Sequence, residues 1–315
     1  MKQLLSAVLL SVTLTACGGG GGGSGGSNAS GLPVIQAASI ANPIPSTVTM
    51  NCEQLTLVGA NGYHAFPNSW NRGSITNYTN CIGLSANGTG VVADTKYNWP
   101  YQPDVSLNNL QIKAYPTIIY GLHPTVTGSN GVLPKLLSQI NNVPITWDVT
   151  RTGSDPNTGV LFFDTWLSTN ANPARFDGVS GVTVSLGITL GVWGELKDSP
   201  AWKKDWRDGS CNCGNNMPFP IVSIDGEDYF LQVDGSNFSG PNYYDGKHTL
   251  GISFTRVNQV TDITQGQINL KSFVNYLVNN SIIPANLYLM LVEFGTELGY
   301  GQGEIKYNNY RVSVE

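Results

Sequence analysis

The sequence predicts an all-β fold, a sandwich of two antiparallel sheets with a single packed helix. Short β-branched or aromatic runs recur between clusters of Gly, Asn and Asp, as in "GVLFFDTWLS" (159–168). Only one segment, 269–282, carries apolar residues at the 3.6-residue period of a helix. The composition, with 37 glycines, 14 tyrosines and 12% charged residues, is typical of an exported, turn-rich β protein.

The N-terminal segment is typical of bacterial export. Residues 1–17 combine an early lysine, an apolar run and small residues before Cys17, which is the pattern of a signal peptide. The ending "LTAC" resembles a lipobox, so we expect Cys17 to be lipid-modified; an ordinary signal peptide with an unrelated cysteine is the alternative. Residues 18–46 begin with a Gly/Ser run and predict a flexible tether. Together they predict a protein anchored by lipid at the cell envelope, at the outer membrane or cell surface.

The remaining residues, 47–315, suit one large domain, because a β-sandwich can reach this length undivided. A net charge of −5 and the lack of basic runs argue against nucleic acid as a partner. The histidines His64, His123 and His248 are scattered without ligand spacing, so we expect neither a metal site nor a cofactor. We expect the domain to be a monomer.

The predicted elements follow one another in chain order. Strand-like runs occupy 159–168, 181–193, 219–235, 248–257 and 286–295. Asp225-Gly226 predicts a tight hairpin turn inside the third run. Residues 194–217, with charges, Pro, Gly and two tryptophans, break the pattern and predict a long insertion loop at the sandwich edge. In the helix, Asn269 is a candidate N-cap, and we expect the apolar stripe to pack on the outer face of one sheet.

The order of these signals resembles glycoside hydrolase family 12, a family of β-jelly-roll endoglucanases and xyloglucanases. The matching segments are "NSW" (68–70), "YNWPYQP" (97–103), "IKAY" (112–115), "WDVT" (147–150), "FFDTWL" (162–167), "LKSFVNYL" (270–277) and "VEFGTEL" (292–298). The resemblance implies a jelly roll whose concave sheet forms an open cleft for a β-glucan chain. It also implies a disulfide between Cys52 and Cys81, and leaves Cys211 and Cys213 either as a local bridge or as thiols.

The resemblance implies one half of a catalytic pair. Glycoside hydrolysis requires two carboxyl groups that flank the scissile bond, one protonated and one that attacks or activates water. The family's Phe-Gly-Thr-Glu motif carries its acid/base glutamate, which corresponds to Glu297. An apolar strand raises a carboxyl pKa and keeps a proton available near neutral pH. The alternative is a solvated glutamate at a sheet edge.

The second half departs from the family pattern. The family's nucleophile is the first residue of Glu-x-x-x-Trp-Leu, and Phe162 occupies that position. Asp164 lies two residues further and on the same strand face, displaced by ~6.5–7 Å. It would serve an inverting pair, or a retaining pair if a β-bulge restored the register. The alternative is a structural hydrogen-bonding residue in a cleft that no longer cleaves.

Two further acids are predicted near this pair. Glu293 stands where the family usually has glutamine, ~13–14 Å along the strand from Glu297, which is too far for these two to be the catalytic pair. It is expected either to bind sugar hydroxyls or a cleft neighbour, or to be a strand-end charge. The resemblance places Asp148 beside the nucleophile, where it would support Asp164 or raise the pKa of Asp164 by like-charge proximity.

Aromatic residues are expected to stack on the sugar rings. The resemblance implies substrate-binding positions at Asn68, Trp70, Trp99 and Tyr101, with plain core packing as the alternative for the three aromatic residues. The sequence therefore predicts a lipid-anchored glycoside hydrolase that acts on β-1,4-linked glucan or xyloglucan, with Glu297 and Asp164 as catalytic residues. The alternative is an inactive glycan-binding lipoprotein on the same fold.

Overall fold

The computed structural model describes residues 36–37, 48–54, 56–100, 112–123, 131–154, 158–172, 182–193, 220–234, 249–257 and 263–315. The predicted signal peptide, Cys17, most of the tether, Tyr101, the insertion loop 194–217, Cys211 and Cys213 lie outside these residues. Among the described residues, no helix is long and apolar enough to cross a membrane.

The described strands form two stacked sheets, and the first has six strands that pair antiparallel throughout. In spatial order these are β1 (Gln36–Ala37), β14 (Ile263–Asn269), β8 (Pro144–Ser154), β16 (Gly301–Val312), β5 (Gly90–Trp99) and β4 (Thr79–Asn87). This sheet forms the outer layer, and its role is to back the second sheet, which carries the candidate site.

The second sheet has ten strands. In spatial order these are β11 (Ile221–Ile224), β12 (Glu227–Asp234), β13 (Leu250–Arg256), β10 (Val182–Trp193), β9 (Gly159–Ser168), β15 (Tyr288–Leu298), β6 (Thr117–Gly121), β3 (Tyr63–Phe66) and β2 (Val58–Ala60), with β7 (Lys135–Leu136) beside β15. The pairing of β10 with β13 is parallel, unlike the other described pairs. The predicted all-β sandwich is confirmed, except that this one parallel pair makes the second sheet mixed instead of purely antiparallel.

Strand alternation divides β9 between two environments. Leu161, Phe163 and Leu167 point into the main core between the sheets, where the ring of Phe163 stacks on that of Phe294 at 4.5 Å. The intervening residues point to the opposite face, because successive side chains of a strand alternate. This is the face that the family resemblance predicts to be concave, and it is called the concave face below. That face carries its own small apolar clusters, one around Phe162 and one around Trp166.

The predicted hairpin and helix are both present. Asp225 and Gly226 join β11 to β12 with φ of 53° and 86°, the positive values that a two-residue turn of this kind requires. The helix α1 spans Leu270–Asn279, and the Asn269 side chain accepts a hydrogen bond from the backbone N–H of Lys271 at 3.2 Å. Both elements are therefore readable from local sequence alone.

The packing of α1 differs from the prediction. Its apolar stripe enters the main core instead of covering an outer sheet face, and Phe273 meets Tyr229 and Phe254 edge-on at 5.1 Å each. The ten-stranded sheet is wider than the six-stranded one, so its inner face at β12 and β13 needs another cover. The helix supplies that cover.

The predicted disulfide between Cys52 and Cys81 is present. It ties the segment before β2 to β4, next to the backbone bridge between Asn51 and Ile82. A disulfide of this kind stabilises the fold chiefly by restricting the unfolded chain.

Candidate active site

The register between β9 and β15 decides which carboxyl groups meet. Asp164 lies directly opposite Glu293, and both side chains point to the concave face. Directly opposed residues of an antiparallel pair have Cβ atoms ~4.5–5.5 Å apart. Both groups are buried, with 6% and 2% of the residue surface exposed. Two carboxyl groups thus share one cross-strand position in the sheet.

Glu297 lies further along the same face. Its cross-strand partner is Val160, so it is four positions from the Asp164 level, or ~13 Å along the strands. No register shift interrupts this pairing between residues 159 and 164. A β-bulge in this pairing that would bring Asp164 into the nucleophile's register is therefore not present.

Phe162 occupies the level between these carboxyl groups, opposite Gly295. Its ring stacks on Tyr115 with centroids 4.5 Å apart and an interplanar angle of 21°. A Cβ atom at Gly295 would come within 2.8 Å of the Tyr115 ring, so glycine at this position makes room for the stack. Phe162 and Tyr115 are almost fully buried and form an apolar wall on the concave face.

Asp164 is well supplied with hydrogen-bond donors. Trp166 Nε1 donates to one carboxyl oxygen at 2.8 Å, Ser185 Oγ donates to the other at 3.2 Å, and the Thr165 backbone N–H donates as well. Burial nevertheless raises the pKa of Asp164 to about 7, because the three donors offset only part of the desolvation cost. Near neutral pH this carboxyl group can accept or release a proton.

Glu293 has fewer donors than its partner. Thr117 Oγ1 donates to Oε2 at the long distance of 3.5 Å, and Nε2 of His123 lies 3.2 Å from Oε1. Burial, and then the charge of Asp164, raise the pKa of Glu293 well above its ordinary value. Burial lowers the pKa of His123 to about 3. Burial therefore disfavours the charged form of the imidazole and of this carboxyl group alike.

Glu297 is the carboxyl group of the three that remains partly exposed. Burial, and then the charge of Asp164, raise its pKa to about 8. This residue therefore keeps its proton at neutral pH and remains open to the concave face. Those are the two properties that a general acid requires.

His123 is the site residue that sequence reasoning missed. It follows β6, whose Ile119 pairs with Glu293, and its ring packs between Phe66 at 5.8 Å and Trp166 at 4.6 Å. Residue spacing carries no sign of this arrangement, because the contact forms only when β6 and β15 align. A buried histidine among aromatic rings is recognisable only in three dimensions.

Comparison with solved structures identifies the fold. Endoglucanase 3 of Trichoderma harzianum, from family 12, matches with a TM-score of 0.61 at 21% identity, covering 87% of this chain and 100% of that chain. The native family 12 xyloglucanase of Bacillus licheniformis matches with a TM-score of 0.60 at 22% identity, covering 85% and 100%. This chain has the family-12 glycoside hydrolase fold. The resemblance found in the sequence is confirmed at the level of the fold.

Curated relatives agree with this fold. Endoglucanase S of Pectobacterium parmentieri is 25% identical over 260 residues, which are 82% of this chain and 83% of its own length. Xyloglucan-specific endo-β-1,4-glucanase A of Aspergillus niger is 25% identical over 266 residues, which are 84% and 90% of the two chains. No protein-family model matches the chain.

Within the family-12 fold, Asp148 is not where the sequence analysis expected it. It lies on β8 of the six-stranded sheet, and its carboxyl group accepts a hydrogen bond from Asn308 at 3.2 Å. Its neighbours Trp147 and Val149 point into the core, so Asp148 points to the outer surface. The expected support for Asp164 is therefore wrong, because the core of the sandwich separates the two residues.

The predicted sugar-stacking residues divide between core and cleft. Trp99 is only 1% exposed and stacks on Tyr78 at 4.3 Å, so it packs in the core and cannot stack on sugar. Trp70 is partly exposed and packs beside Phe162 and Tyr115. The carbonyl group of Asn68 accepts a hydrogen bond from the Tyr115 backbone N–H at 2.9 Å, which brings this segment to the wall.

Proposed function

We propose that this chain is a glycoside hydrolase that cleaves β-1,4-linked glucan or xyloglucan-type polysaccharide, with Glu297 as its general acid. The main support for this proposal is the carboxyl group of Glu297, which is partly exposed on the concave face. Its pKa of about 8 keeps it protonated at neutral pH. The fold and the relatives named as endoglucanases and xyloglucanases support the substrate class.

Glu297 donates its proton to the glycosidic oxygen as the bond to the anomeric carbon breaks. The leaving sugar departs as a neutral alcohol, so no alkoxide has to form. Burial raises the pKa of Glu297 and so keeps the group in its acid form at neutral pH, with the proton available when the substrate binds. The role therefore follows from protonation state and exposure together.

Asp164 is the proposed second carboxyl group and acts as general base. Its pKa of about 7 lies below that of Glu297, so a neutral solution contains molecules with Asp164 ionised and Glu297 protonated. Asp164 removes a proton from the attacking water while Glu297 supplies one to the leaving group, so the protons balance. Between turnovers both groups exchange protons with solvent.

The separation of the two groups favours inversion at the anomeric carbon. A retaining pair is ~5–5.5 Å apart and an inverting pair ~6.5–9.5 Å apart. Four strand positions, ~13 Å, separate Asp164 from Glu297 along the strands, as they separate Glu293 from Glu297. Of these two groups it is Asp164 whose charge raises the pKa of Glu297, which favours Asp164 as the partner. This spacing excludes the shorter retaining distance, and the pair reaches the inverting range, with room for a water molecule, where the two side chains lean toward each other.

Trp70 is the proposed sugar-stacking residue. It is the partly exposed aromatic residue beside the Phe162 and Tyr115 wall. A flat indole face next to the acid would hold a pyranose ring in register with Glu297. Trp70→Ala is expected to weaken glycan binding and raise KM more than it lowers kcat, because stacking acts in the ground state as well as in the transition state.

Incubation with a panel of β-glucans and xyloglucan tests the function. The full chain is expected to release reducing ends from at least one of them, and Glu297→Gln and Asp164→Asn are expected to lower that release by ~10²-fold or more. Glu304→Gln is the matched control, since Glu304 lies on the other sheet in an ion pair with Lys96. No release from any substrate, or unchanged release by Glu297→Gln, would contradict the proposal.

A catalytically inactive glycan-binding protein is the second candidate. Phe162 at the position of the family's nucleophile and the 6% exposure of Asp164 favour it. Isothermal titration with the same glycans separates the two candidates. Binding without any release of reducing ends supports the inactive protein, and release of reducing ends supports the hydrolase.

The proposed location is the bacterial cell envelope, where a lipid on Cys17 anchors the chain. The chain is proposed to be a monomer. The apolar run before Cys17 and the Gly/Ser tether after it support this location. Wild-type protein is expected in the detergent phase of a membrane extract, and Cys17→Ser in the aqueous phase. Equal partitioning of the two would contradict lipid anchoring.

A further inference from the structure

The Asp164 and Glu293 pair forms a cluster with His123 that the proposed mechanism leaves unexplained. Asp164 faces Glu293 across the strands, and Glu293 Oε1 lies 3.2 Å from His123 Nε2. All three residues are less than 9% exposed. Among the described residues, no group of three or more acids, histidines or cysteines is arranged to hold a metal ion. What has to be determined for the three side chains is which of them carries a proton.

A buried pair of carboxyl groups cannot carry two charges at low cost, because like charges in this proximity repel strongly. The question is which of the two carries the single charge. Asp164 accepts from Trp166 at 2.8 Å and Ser185 at 3.2 Å, as well as from the Thr165 backbone. Glu293 accepts a hydrogen bond from Thr117 at the longer distance of 3.5 Å. Hydrogen bonds to the charged form favour that form, so the donors assign the charge to Asp164.

The proton of Glu293 then needs an acceptor, and His123 is the nearest one. Its ring is enclosed by Phe66 and Trp166, and such burial disfavours the charged imidazolium. A neutral imidazole presents one nitrogen as acceptor. Nε2 lies 3.2 Å from Oε1, and Oε1 receives no hydrogen bond from a described donor, so this nitrogen is placed to accept a proton carried by Oε1.

We infer that Glu293 is held as a neutral carboxylic acid that donates its proton to Nε2 of His123, so that the single charge of the pair stays on Asp164. Glu293 and His123 are thus positioning residues for the base, and this inference rests on the proposed function. They hold the ionised form of Asp164 ready to accept a proton from water, without contact with substrate.

Further ionisable groups lie on the elements around Glu293. They are Asp164 on β9, Glu297 on the same strand, His64 on β3, Tyr115 before β6, His123 after β6 and Tyr310 on the six-stranded sheet. Burial raises the pKa of both tyrosines well above its ordinary value and lowers the pKa of His64, so none of these three adds a positive charge near neutral pH. Asp164 remains the charged neighbour that decides the proton on Glu293.

Infrared difference spectroscopy on the full chain tests the assignment directly. At about pH 9, above the pKa of about 8 of Glu297, a protonated carboxylic acid band is expected from Glu293 alone. The band should disappear in Glu293→Gln and remain in Glu297→Gln and in the control Glu304→Gln. Absence of the band from the wild type, or its survival in Glu293→Gln, would overturn the inference.

Two variants at position 123 test the acceptor. His123→Phe is expected to shift the frequency of the band, because Glu293 loses the acceptor of its proton. His123→Gln supplies an amide oxygen in its place and is expected to restore the wild-type frequency. An unchanged frequency in His123→Phe would overturn the role of His123. The wild-type and Glu293→Gln spectra remain decisive even if His123→Phe does not fold.

The pH dependence of hydrolysis provides a second measurement. Glutamine at position 293 keeps an N–H donor for His123 and has no charge, so Glu293→Gln is expected to move the acidic limb of kcat by less than about 0.3 pH units. If Glu293 carried the charge, its removal would shift that limb down by more than about one unit. If the infrared band of Glu293 is present but no glycan is hydrolysed, only the proposed function is refuted. If a glycan is hydrolysed but the band is absent, only this inference is refuted.

Discussion

Asp164 and Glu293 lie directly opposite each other on neighbouring strands, while Glu297 lies four positions away beyond the Phe162 and Tyr115 wall. The three carboxyl groups therefore form a pair and a single group on one sheet face. Burial raises the pKa of all three, and the partly exposed one is suited to donate a proton to a substrate.

Glu297→Gln is expected to lower kcat by ~10²–10⁴-fold, because an amide cannot donate the proton that the leaving sugar requires. The loss should be much smaller with an aryl glycoside whose phenolate leaves without protonation. Initial rates on both substrate types measure this difference. An equal loss on both would argue that Glu297 has another role.

The pH profile of kcat is expected to be bell-shaped. Asp164 must be ionised, so the rate rises with pH through about 7, and Glu297 must be protonated, so it falls through about 8. Initial rates measured across these values test the assignment. Asp164→Asn should remove the acidic limb from any residual activity, and a limb that persists in this variant would contradict the role of Asp164.

Phe162→Glu is expected to create a retaining pair. Position 162 faces Gly295, two strand positions or ~7 Å from the level of Glu297, which suits a nucleophile better than position 164 does. Proton NMR of the first product should then show the retained anomer, where the wild type shows the inverted one. Phe162→Leu is the control, and an unchanged product anomer in Phe162→Glu would refute the prediction.

That substitution also carries a stability cost. It removes the stack on Tyr115 and buries a carboxyl group in its place, for which we expect a loss of ~2–4 kcal/mol in the free energy of unfolding. Urea denaturation measures the loss, and Phe162→Leu should lose less because it keeps an apolar side chain. Equal stability of Phe162→Glu and the wild type would mean that the wall contributes little.

Asp148→Asn is expected to leave kcat and KM within about twofold of the wild type, as for a surface substitution away from the site. The residue lies on the outer face of the six-stranded sheet and bonds to Asn308. Steady-state kinetics on the best substrate measure the effect. A loss of kcat as large as that of Asp164→Asn would mean that Asp148 takes part in catalysis, which would contradict its position on the other sheet.

The free energy of unfolding is expected to fall between about pH 5 and pH 8. A raised folded-state carboxyl pKa means that the folded protein binds more protons than the unfolded chain, so stability is greatest below the unfolded pKa of ~4. It is lost as pH rises through the folded pKa values of about 7 for Asp164 and about 8 for Glu297. Urea titrations at both pH values measure this change.

Asp164→Asn tests the sign of that dependence. Removing this carboxyl group should reduce the difference in the free energy of unfolding between about pH 5 and pH 8 by on the order of 3 kcal/mol, because its contribution to the proton linkage disappears. Asp148→Asn, the same substitution on the outer face of the other sheet, is the control. A wild-type stability that rises with pH over this interval would contradict the raised pKa values.

Local features of the fold were predictable from the sequence. The period of two in "GVLFFDTWLS", the positive-φ turn at Asp225-Gly226 and the Asn269 cap all depend on neighbours within a few residues. The face shared by Glu293 and Glu297, and their separation, also followed from strand geometry alone. By contrast, the packing of α1 was predicted wrongly, because the width of each sheet depends on distant strands.

The sequence by itself determined the fold class, the carboxyl groups on the β9 and β15 strands and the phenylalanine between them. Only the tertiary structure decided that Asp164 meets Glu293, that His123 joins them, that Trp99 is core and that Asp148 lies on the other sheet. The reason is physical. Alternation along a strand sets the face of a side chain, but its neighbour across the sheet depends on register, which the packing of the whole sandwich sets.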